Sequence, residues 1–259
     1  MDTQIAGEAG NMRGAVSEAE WTLRLNLAAA FRIAHGLGWN DGATNHITAR
    51  LTDVPGHFLI NPQGLGWDEM TASCLIKADL SGRVISKSDL SPGPAGLNFH
   101  SAVLAARPEI ASTMHIHPMA GVVVSATKCG LIILDQRGCL LHNEVAYHAF
   151  EGYARAKDES PRIVAELGSK HTMIMKNHGL LAVGRTIGET FYFMGKLIKA
   201  CELQERAMAM GTDIEPISEE IIAVAKAQTA ERYRDKPYGT LEWKMLYRRL
   251  ERADPSFGL

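Results

Sequence analysis

Two helix starts with the same local chemistry frame most of this chain. Ser17 with Glu20 and Thr186 with Glu189 are capping-box pairs, a hydroxyl three residues before a carboxylate. After Ser17, Trp21, Leu25, Ala28, Ala29 and Phe31 to Ile33 keep helical apolar spacing as far as His35-Gly36, where glycine tolerates the left-handed turn that ends helices. After Thr186, Phe191, Met194, Leu197, Ile198, Cys201 and Leu203 make a long apolar face running to about Met210. Between the two lie short strand candidates closed by turn residues. His46 to Leu51 and His57 to Ile60 flank Asp53-Val54-Pro55-Gly56, and Ile76 to Leu80 and Arg83 to Ile85 flank Ser81-Gly82. Ile110 to His117, with β-branched Ile110, Thr113 and Ile116, reads as a strand. Thr172 to Lys176 and Leu180 to Val183 read as strands around Asn177-His178-Gly179. Helices mixed with strands in this way predict an α/β layered domain.

The remaining segments read less directly. Leu90 to Gly96 holds two prolines and two glycines and predicts an ordered loop or linker, followed by a helix from Leu97 to Ala106 that Pro108 closes. Gly121 to Lys128 fits either element: three valines favour strand, the short length and flanking Ala and Gly favour helix, and we read helix. Ser218 to Tyr233 reads as a further helix. Residues 1–16 are polar, Gly/Ala-rich and without period, which predicts a loose arm. The stretch from Pro237 to Leu259 carries Tyr238, Trp243, Tyr247 and Phe257 and predicts a tail docked on this or a neighbouring subunit. The eleven methionines read as core filler, and Arg248, Arg249 and Arg252 with Glu242 and Glu251 as a solvated helical face.

Composition removes several classes of function. Lys plus Arg number 27 against 29 Asp plus Glu, a formal net charge of -2, so no broad basic field for nucleic acid or anionic lipid is expected. The longest apolar stretch, Met119 to Leu134, is broken by Thr127-Lys128 and falls short of the roughly 20 apolar residues a membrane span needs. No secretory signal is visible at the N-terminus. The four cysteines form no C-x-x-C pair, which argues against a thiolate zinc site and fits a reducing, cytoplasmic compartment.

The strongest local signal for chemistry is His115-Ile116-His117. Residues two apart on a strand share a face, so both imidazoles reach one ion, and catalytic zinc commonly takes three protein ligands with one position open. The third must come from elsewhere; His178, at the Asn177-His178-Gly179 corner, is placed to be aimed inward. Such a pair also occurs as ordinary hydrogen-bonding residues. His35 is suited to a helix C-terminus, and His57 and His171 read as surface residues at strand starts. His46, His142 and His148 line a pocket or are half-buried polar groups. His100, on a helix after Phe99, is placed to support a metal ligand. Asn45 and the Pro62-Gln63-Gly64 turn offer polar groups and backbone N–H for an anion, or simply turn the chain.

Taken in order, TNHITARL (44–51), HFLINPQGLGWDEMTASCLIKADLSGRVI (57–85), FHSAVLAARPEI (99–110), HIHPMAGVVVSATKCG (115–130), EVAYHAFEG (144–152) and NHGLLAVG (177–184) with its following helix resemble the class II aldolase/adducin family, closest to the adducin-head branch. The resemblance covers residues 17–212 and leaves 213–259 as a C-terminal helix and tail. It implies a three-layer α/β/α domain with a central, mainly antiparallel sheet, a homotetramer, and a divalent metal, zinc first and manganese or another ion otherwise, near a subunit boundary. The family's metal histidines match His115, His117 and His178.

The family's acid/base glutamate falls at Gly96, and the two serines that hold substrate phosphate fall at Pro94 and Ala95. Asn45 matches the phosphate-loop asparagine and Gln63-Gly64 its Thr-Gly. The tyrosine supplied by a neighbouring subunit falls near Gln136, and a C-terminal tyrosine near Tyr233 or Tyr238. Without the serines a phosphorylated substrate is disfavoured. Without the glutamate the usual proton shuttle, with its contribution of about 10²–10⁴-fold, needs a substitute: His100, His148 or a tail tyrosine, Tyr238. Gly96 also predicts an enlarged pocket suited to a bulkier, aromatic substrate. The resulting expectation is a metal-dependent carbon–carbon lyase, aldolase-type first and decarboxylase second, with a non-enzymatic adducin-like interaction module as the rival class. Its partners are a small-molecule substrate and further copies of itself, without nucleic acid or membrane.

Overall fold

A computed structural model describes residues 12–152 and 159–259. Of the expected loose arm, residues 1–11 lie outside the described residues, and 12–15 form a helical turn. Helix α1 is Glu18–Gly36, and the Ser17 hydroxyl accepts from Glu20 N–H at 3.0 Å, as its capping box predicts. The left-handed residue after it is Gly38, at φ 70°, while Gly36 is still helical. Strands β1 (His46–Arg50), β2 (His57–Ile60) and β3 (Ile76–Asp79) follow as an antiparallel meander. The second arm of the 76–85 hairpin is reduced to one bridge, Ala78 to Val84.

Helix α2 is Pro94–Ala106, so the last three residues expected in a loop form its first turn. Proline there is at home: the first helical N–H has no intrahelical partner to lose, and the ring presets φ. Then come β4 (Ser112–Ile116), α3 (Met119–Ser125), β5 (Val145–His148), α4 (Glu159–Leu167), β6 (Thr172–Met175), β7 (Gly179–Gly184), α5 (Ile187–Ala209), α6 (Glu219–Arg232) and α7 (Thr240–Ala253). Helix α3 agrees with the helical reading of the valine run. Helix α5 starts with the Thr186 hydroxyl accepting from Glu189 N–H at 3.0 Å.

The seven strands form one sheet in the order β3-β2-β1-β4-β7-β6-β5. It is mixed: β5 and β6 run parallel and the other neighbouring pairs antiparallel. Strand alternation separates two apolar cores. Ile47, Ala49, Met114, Ile116, Ile174, Leu180 and Ala182 face the layer of α1, α3 and α5. Phe58, Ile60, Met173, Leu181 and Val183 face the layer of α2 and α4, where Phe99, Val103, Leu104 and Ile163 wait. The chain is therefore a three-layer α/β/α domain.

The C-terminal tail docks on its own chain. Helix α7 packs on α1 and α5, and Trp243 Nε1 donates to Asn26 Oδ1 at 3.1 Å. Beyond it, Phe257 is buried, and its carbonyl accepts from Ala72 N–H at 2.9 Å.

Candidate metal centre

The ends of β1, β4, β6 and β7 and the start of α2 meet at one edge of the sheet. On β4, Met114 and Ile116 point to one core, so His115 points to the other face, and His117 follows just past the strand end. The β6–β7 corner brings His178 to the same spot. Asn177 carries φ 54°, the left-handed region that asparagine tolerates, and Gly179 leaves room, since a Cβ there would meet His117 Cδ2 at 2.5 Å and Ile116 O at 2.7 Å. The rings of His115, His117 and His178 stand 4.8 Å apart pairwise, centre to centre, and one nitrogen from each falls within 4.8 Å of the others.

Their outer nitrogens set their tautomers. His115 Nδ1 lies 3.0 Å from Leu180 O, which only accepts, so Nδ1 carries the proton and Nε2 is bare. Asp41 Oδ2 lies 3.5 Å from His117 Nδ1 and orients that ring in the same way. The two Nε2 atoms then face each other at 3.0 Å with no proton between them. Two nitrogens held about 2.0–2.1 Å from a tetrahedral ion stand about 3.4 Å apart, so a small shift accommodates a shared cation. Charge agrees with this. Burial pushes His115 well below the usual histidine range, reinforced by His46 and the other two rings. Burial lowers His117 against the opposing pull of Asp41, and burial with neighbouring His117 and His148 lowers His178 to about 4. Three neutral imidazoles, each presenting a lone pair, fit a divalent ion.

The triad opens on a cavity of about 1150 Å³. Its lining includes the amides Asn45, Asn61, Gln63 and Asn98 and the apolar side chains Phe99, Phe150 and Met175. Two buried amide atoms there have no protein partner, Asn45 Nδ2 and Asn61 Oδ1. Asn45 Oδ1 is engaged by Asp41 N–H at 2.7 Å. No lysine or arginine is found among the described residues of the wall.

Of the other expected site residues, Asn45, Gln63 and Gly96 line the cavity and Gly64, at φ 94°, turns the chain outside it. Gly96 does not enlarge the pocket as expected: a Cβ at that position would lie 2.5 Å from His46 Cδ2, so the His46 ring already fills the space. His100 is fully buried behind His46 and does not reach the cavity. His148 is buried between Glu166 Oε2 at 2.6 Å and Glu159 Oε1 at 3.3 Å. It forms, with Glu151 and Glu159, a second group of ligand type, but both its ring nitrogens face carboxylates and Glu151 pairs with Arg162. Tyr238 packs on Tyr192 and Phe193 of α5, away from the cavity. Neither His148 nor Tyr238 is placed in this chain to touch a cavity ligand.

Asp41 and Asn61 are site residues that the sequence does not single out, and His46 is read there only as lining a pocket or as a half-buried polar group. Asp41 gives no local signal beyond lying four residues before Asn45. His46 had one: on β1 it alternates with Ile47 and Ala49, which puts it with Thr48 on the α2 face, opposite His115 in the β1–β4 register.

Alpha-adducin of Rattus norvegicus is 40% identical over 212 residues, 81% of this chain and 29% of that protein. An aldolase II superfamily protein from Pseudomonas syringae has a solved structure that superposes with a TM-score of 0.90 at 37% identity, covering 96% of this chain and 99% of that one. The structure of L-fuculose 1-phosphate aldolase from Glaciozyma antarctica superposes with a TM-score of 0.82 at 30% identity and covers 93% of each chain. The profile of the Class II Aldolase and Adducin N-terminal domain matches residues 25–205. With its layered sheet and its histidine-lined edge, this chain belongs to the class II aldolase/adducin family.

Proposed function

We propose that the chain is a divalent-metal-dependent lyase that cleaves a carbon–carbon bond next to a carbonyl in a small substrate without a phosphate group. The observation that carries this reading is the convergence of three neutral imidazoles, His115, His117 and His178, on the wall of a cavity large enough for a small molecule. A divalent ion held there, zinc by the all-nitrogen donor set, supplies Lewis-acid stabilisation of the charge that develops on the substrate's oxygens.

The chain's own residues do the rest. The amides of Gln63 and Asn98, more accessible on the same wall than buried Asn45 and Asn61, supply donors and acceptors to substrate hydroxyls. Phe99 and Met175 add buried apolar side chains to the lining, and Phe150 an exposed one. Pro94 and Ala95 stand on the cavity wall at the positions of the family's two phosphate-holding serines, so those hydroxyl donors are missing here. That sets this chain apart from the relative named for L-fuculose 1-phosphate, while the shared family supports the same bond-breaking class. Decarboxylation is the second reading. Asp41 is the one carboxylate among the described residues of the wall, and it faces His117, whereas loss of CO₂ from an ionised carboxylate needs no base.

We also read the chain as a cytoplasmic homo-oligomer, a tetramer by its family. Four free cysteines fit a reducing compartment, and no helix among the described residues is long and apolar enough to cross a membrane. Met119 and Val123, one turn apart on α3, and Phe150 at the cavity are exposed apolar side chains of the kind subunit contacts cover.

The test is metal analysis of the full chain joined to a product assay. One divalent ion per chain is expected, lost in His115→Ala together with turnover. Across a panel of hydroxyketones and aromatic hydroxy-carboxylates, aldehyde release identifies the aldolase version and CO₂ release the decarboxylase version. A protein that holds no stoichiometric metal and is indifferent to His115→Ala refutes the lyase reading and leaves a non-enzymatic adducin-like module.

A further inference from the structure

The geometry points to His46 as the group that carries the substrate's proton at this site, with buried His100 as the positioning residue behind it. The inference rests on the lyase reading above and adds the group that reading lacks. His46 stands on the cavity wall, its ring 5.2 Å from that of His115. It occupies the space a side chain at position 96 would take: a Cβ on Gly96 would lie 2.5 Å from His46 Cδ2 and 2.9 Å from Nε2. Glycine at 96 and histidine at 46 are thus one arrangement, a ring laid over bare helix backbone at the first turn of α2.

Behind the ring runs a chain of hydrogen bonds. His46 Nδ1 lies 2.7 Å from His100 Nε2, and His100 Nδ1 lies 2.9 Å from Thr48 Oγ1 and also meets Thr113 Oγ1. The two hydroxyls bond each other at 2.7 Å. Hydroxyls both donate and accept, so either direction of the chain is satisfied. With His46 Nδ1 donating to His100, Nε2 of this cavity-lining ring is a bare acceptor. With His100 donating, His46 Nε2 carries a proton to give. This backing holds the His46 ring in one orientation and lets its Nδ1 either donate or accept, which a residue that takes and then returns a proton requires.

The step balances within the substrate. His46 Nε2 accepts the proton of the hydroxyl on the carbon β to the carbonyl. The O–H electron pair becomes the second bond of a new C=O, the carbon–carbon bond breaks, and its pair passes into the enolate of the other fragment. His46 returns the same proton to the enolate carbon, giving two carbonyl products and a neutral ring. In reverse, the same residue removes a C–H proton from a ketone product, and that half reaction runs without the partner aldehyde.

The experiment uses full-length protein loaded with zinc in D₂O, with dihydroxyacetone, hydroxyacetone and 1-hydroxy-2-butanone as probes. Loss of the α C–H signal by proton NMR reads proton removal. Wild type is expected to exchange at least one ketone. His46→Gln is expected to slow that exchange about 100-fold or more while still holding one zinc per chain. His100→Asn is expected to slow it about 10-fold and to remove the hydrogen-bonded imidazole N–H resonance of the metal-free protein. Placing a carboxylate in the vacated space, His46→Ala with Gly96→Glu, is expected to recover at least tenfold over His46→Ala alone, and it gives the answer should His46→Gln misfold. Exchange in folded His46→Gln within threefold of wild type overturns the assignment and leaves the lyase reading standing. So does loss of zinc from that variant, which makes His46 a ligand. If zinc-loaded wild type exchanges no probe and cleaves no hydroxyketone, the lyase reading falls and the assignment with it.

Discussion

Single residues decide whether the imidazoles meet. Gly179 is the sharpest case, because it makes room for both a ligand ring and the backbone of the strand that carries it. A methyl group at that position would lie 2.5 Å from the His117 ring and 2.7 Å from the backbone oxygen of Ile116. A ring can tilt, but a backbone oxygen inside a sheet cannot. Gly179→Ala is therefore expected to cost about 1–3 kcal/mol of stability, read as a shift in the urea midpoint, and to lower bound metal below one ion per chain. Gly36→Ala is the matched control. Gly36 sits in the last turn of α1 with nothing within 4 Å of such a methyl, so it should be neutral or gain about 0.5–1 kcal/mol. Equal behaviour of the two variants would show that crowding at Gly179 is not what matters. Asn177 makes the same point by conformation: its φ of 54° is what turns β6 into β7 with the His178 side chain at the cavity.

At the scale of elements, α1 is bound to the sheet's edge by charge as well as by its apolar face. Arg24 is 1% exposed; its Nε donates to Glu20 Oε1 at 2.9 Å and its Nη1 to the carbonyls of Leu75 at 2.8 Å and Ala72 at 3.1 Å. Glu20 also meets Lys77 of β3. Arg24→Met leaves buried Glu20 with Lys77 as its one cation and strands two carbonyls, and about 3–5 kcal/mol of destabilisation in a denaturant titration is the expected result. A cost below 1 kcal/mol would mean that water replaces the guanidinium and that the helix is held by packing alone. Elements like α1 and α5 are legible in the sequence because a capping box is local: Ser17 and Thr186 accept from N–H groups three residues away whatever the rest of the chain does. The start of α2 is not, since proline and glycine punctuate loops and helix first turns alike, and only the packed helix tells which. Four-residue β5 goes unread because its one partner, β6, is parallel and 27 residues distant in sequence, Val145 pairing with Thr172. The site divides in the same way. The period of two in β4 exposes His115 and His117 as a pair, and the Asn-His-Gly corner exposes His178. His46 needs the register that sets it opposite His115, and Asp41 needs the cavity itself; neither register nor cavity is written in any short stretch of chain.

Across the whole molecule, the gathered imidazoles give stability a pH dependence with one sign. His46, His100 and His115 are held well below the usual histidine range chiefly by burial, His117 is lowered for the same reason, and His178 falls to about 4. Each of these rings is neutral in the folded protein at a pH where it is protonated in the unfolded chain, whose histidines titrate near 6.5. Below that value the unfolded state binds more protons, so stability is full above about pH 6.5 and falls as pH drops toward the folded values, His178 contributing until about pH 4. Each ring adds at most about 1.4 kcal/mol per pH unit. The carboxylates act in the same direction but lower down: Asp79, held to about 2 by Ser81 and Arg83, and Glu189, held low by Arg185 against its burial, lose their contribution only as they protonate. The metal-free protein should thus show a urea midpoint that falls between pH 7 and pH 5, before any carboxylate titrates. Bound metal adds stability by mass action and competes with the same protons, so the loaded protein should hold its midpoint to lower pH until the ion leaves. Replacing His115 and His178 together by glutamine removes two of the titrating rings, and the metal-free variant should lose less stability over that interval than wild type. A wild-type midpoint flat from pH 7 to pH 5 would mean that the rings are as easily protonated folded as unfolded, and a cluster of that kind would not present the bare nitrogens a cation requires.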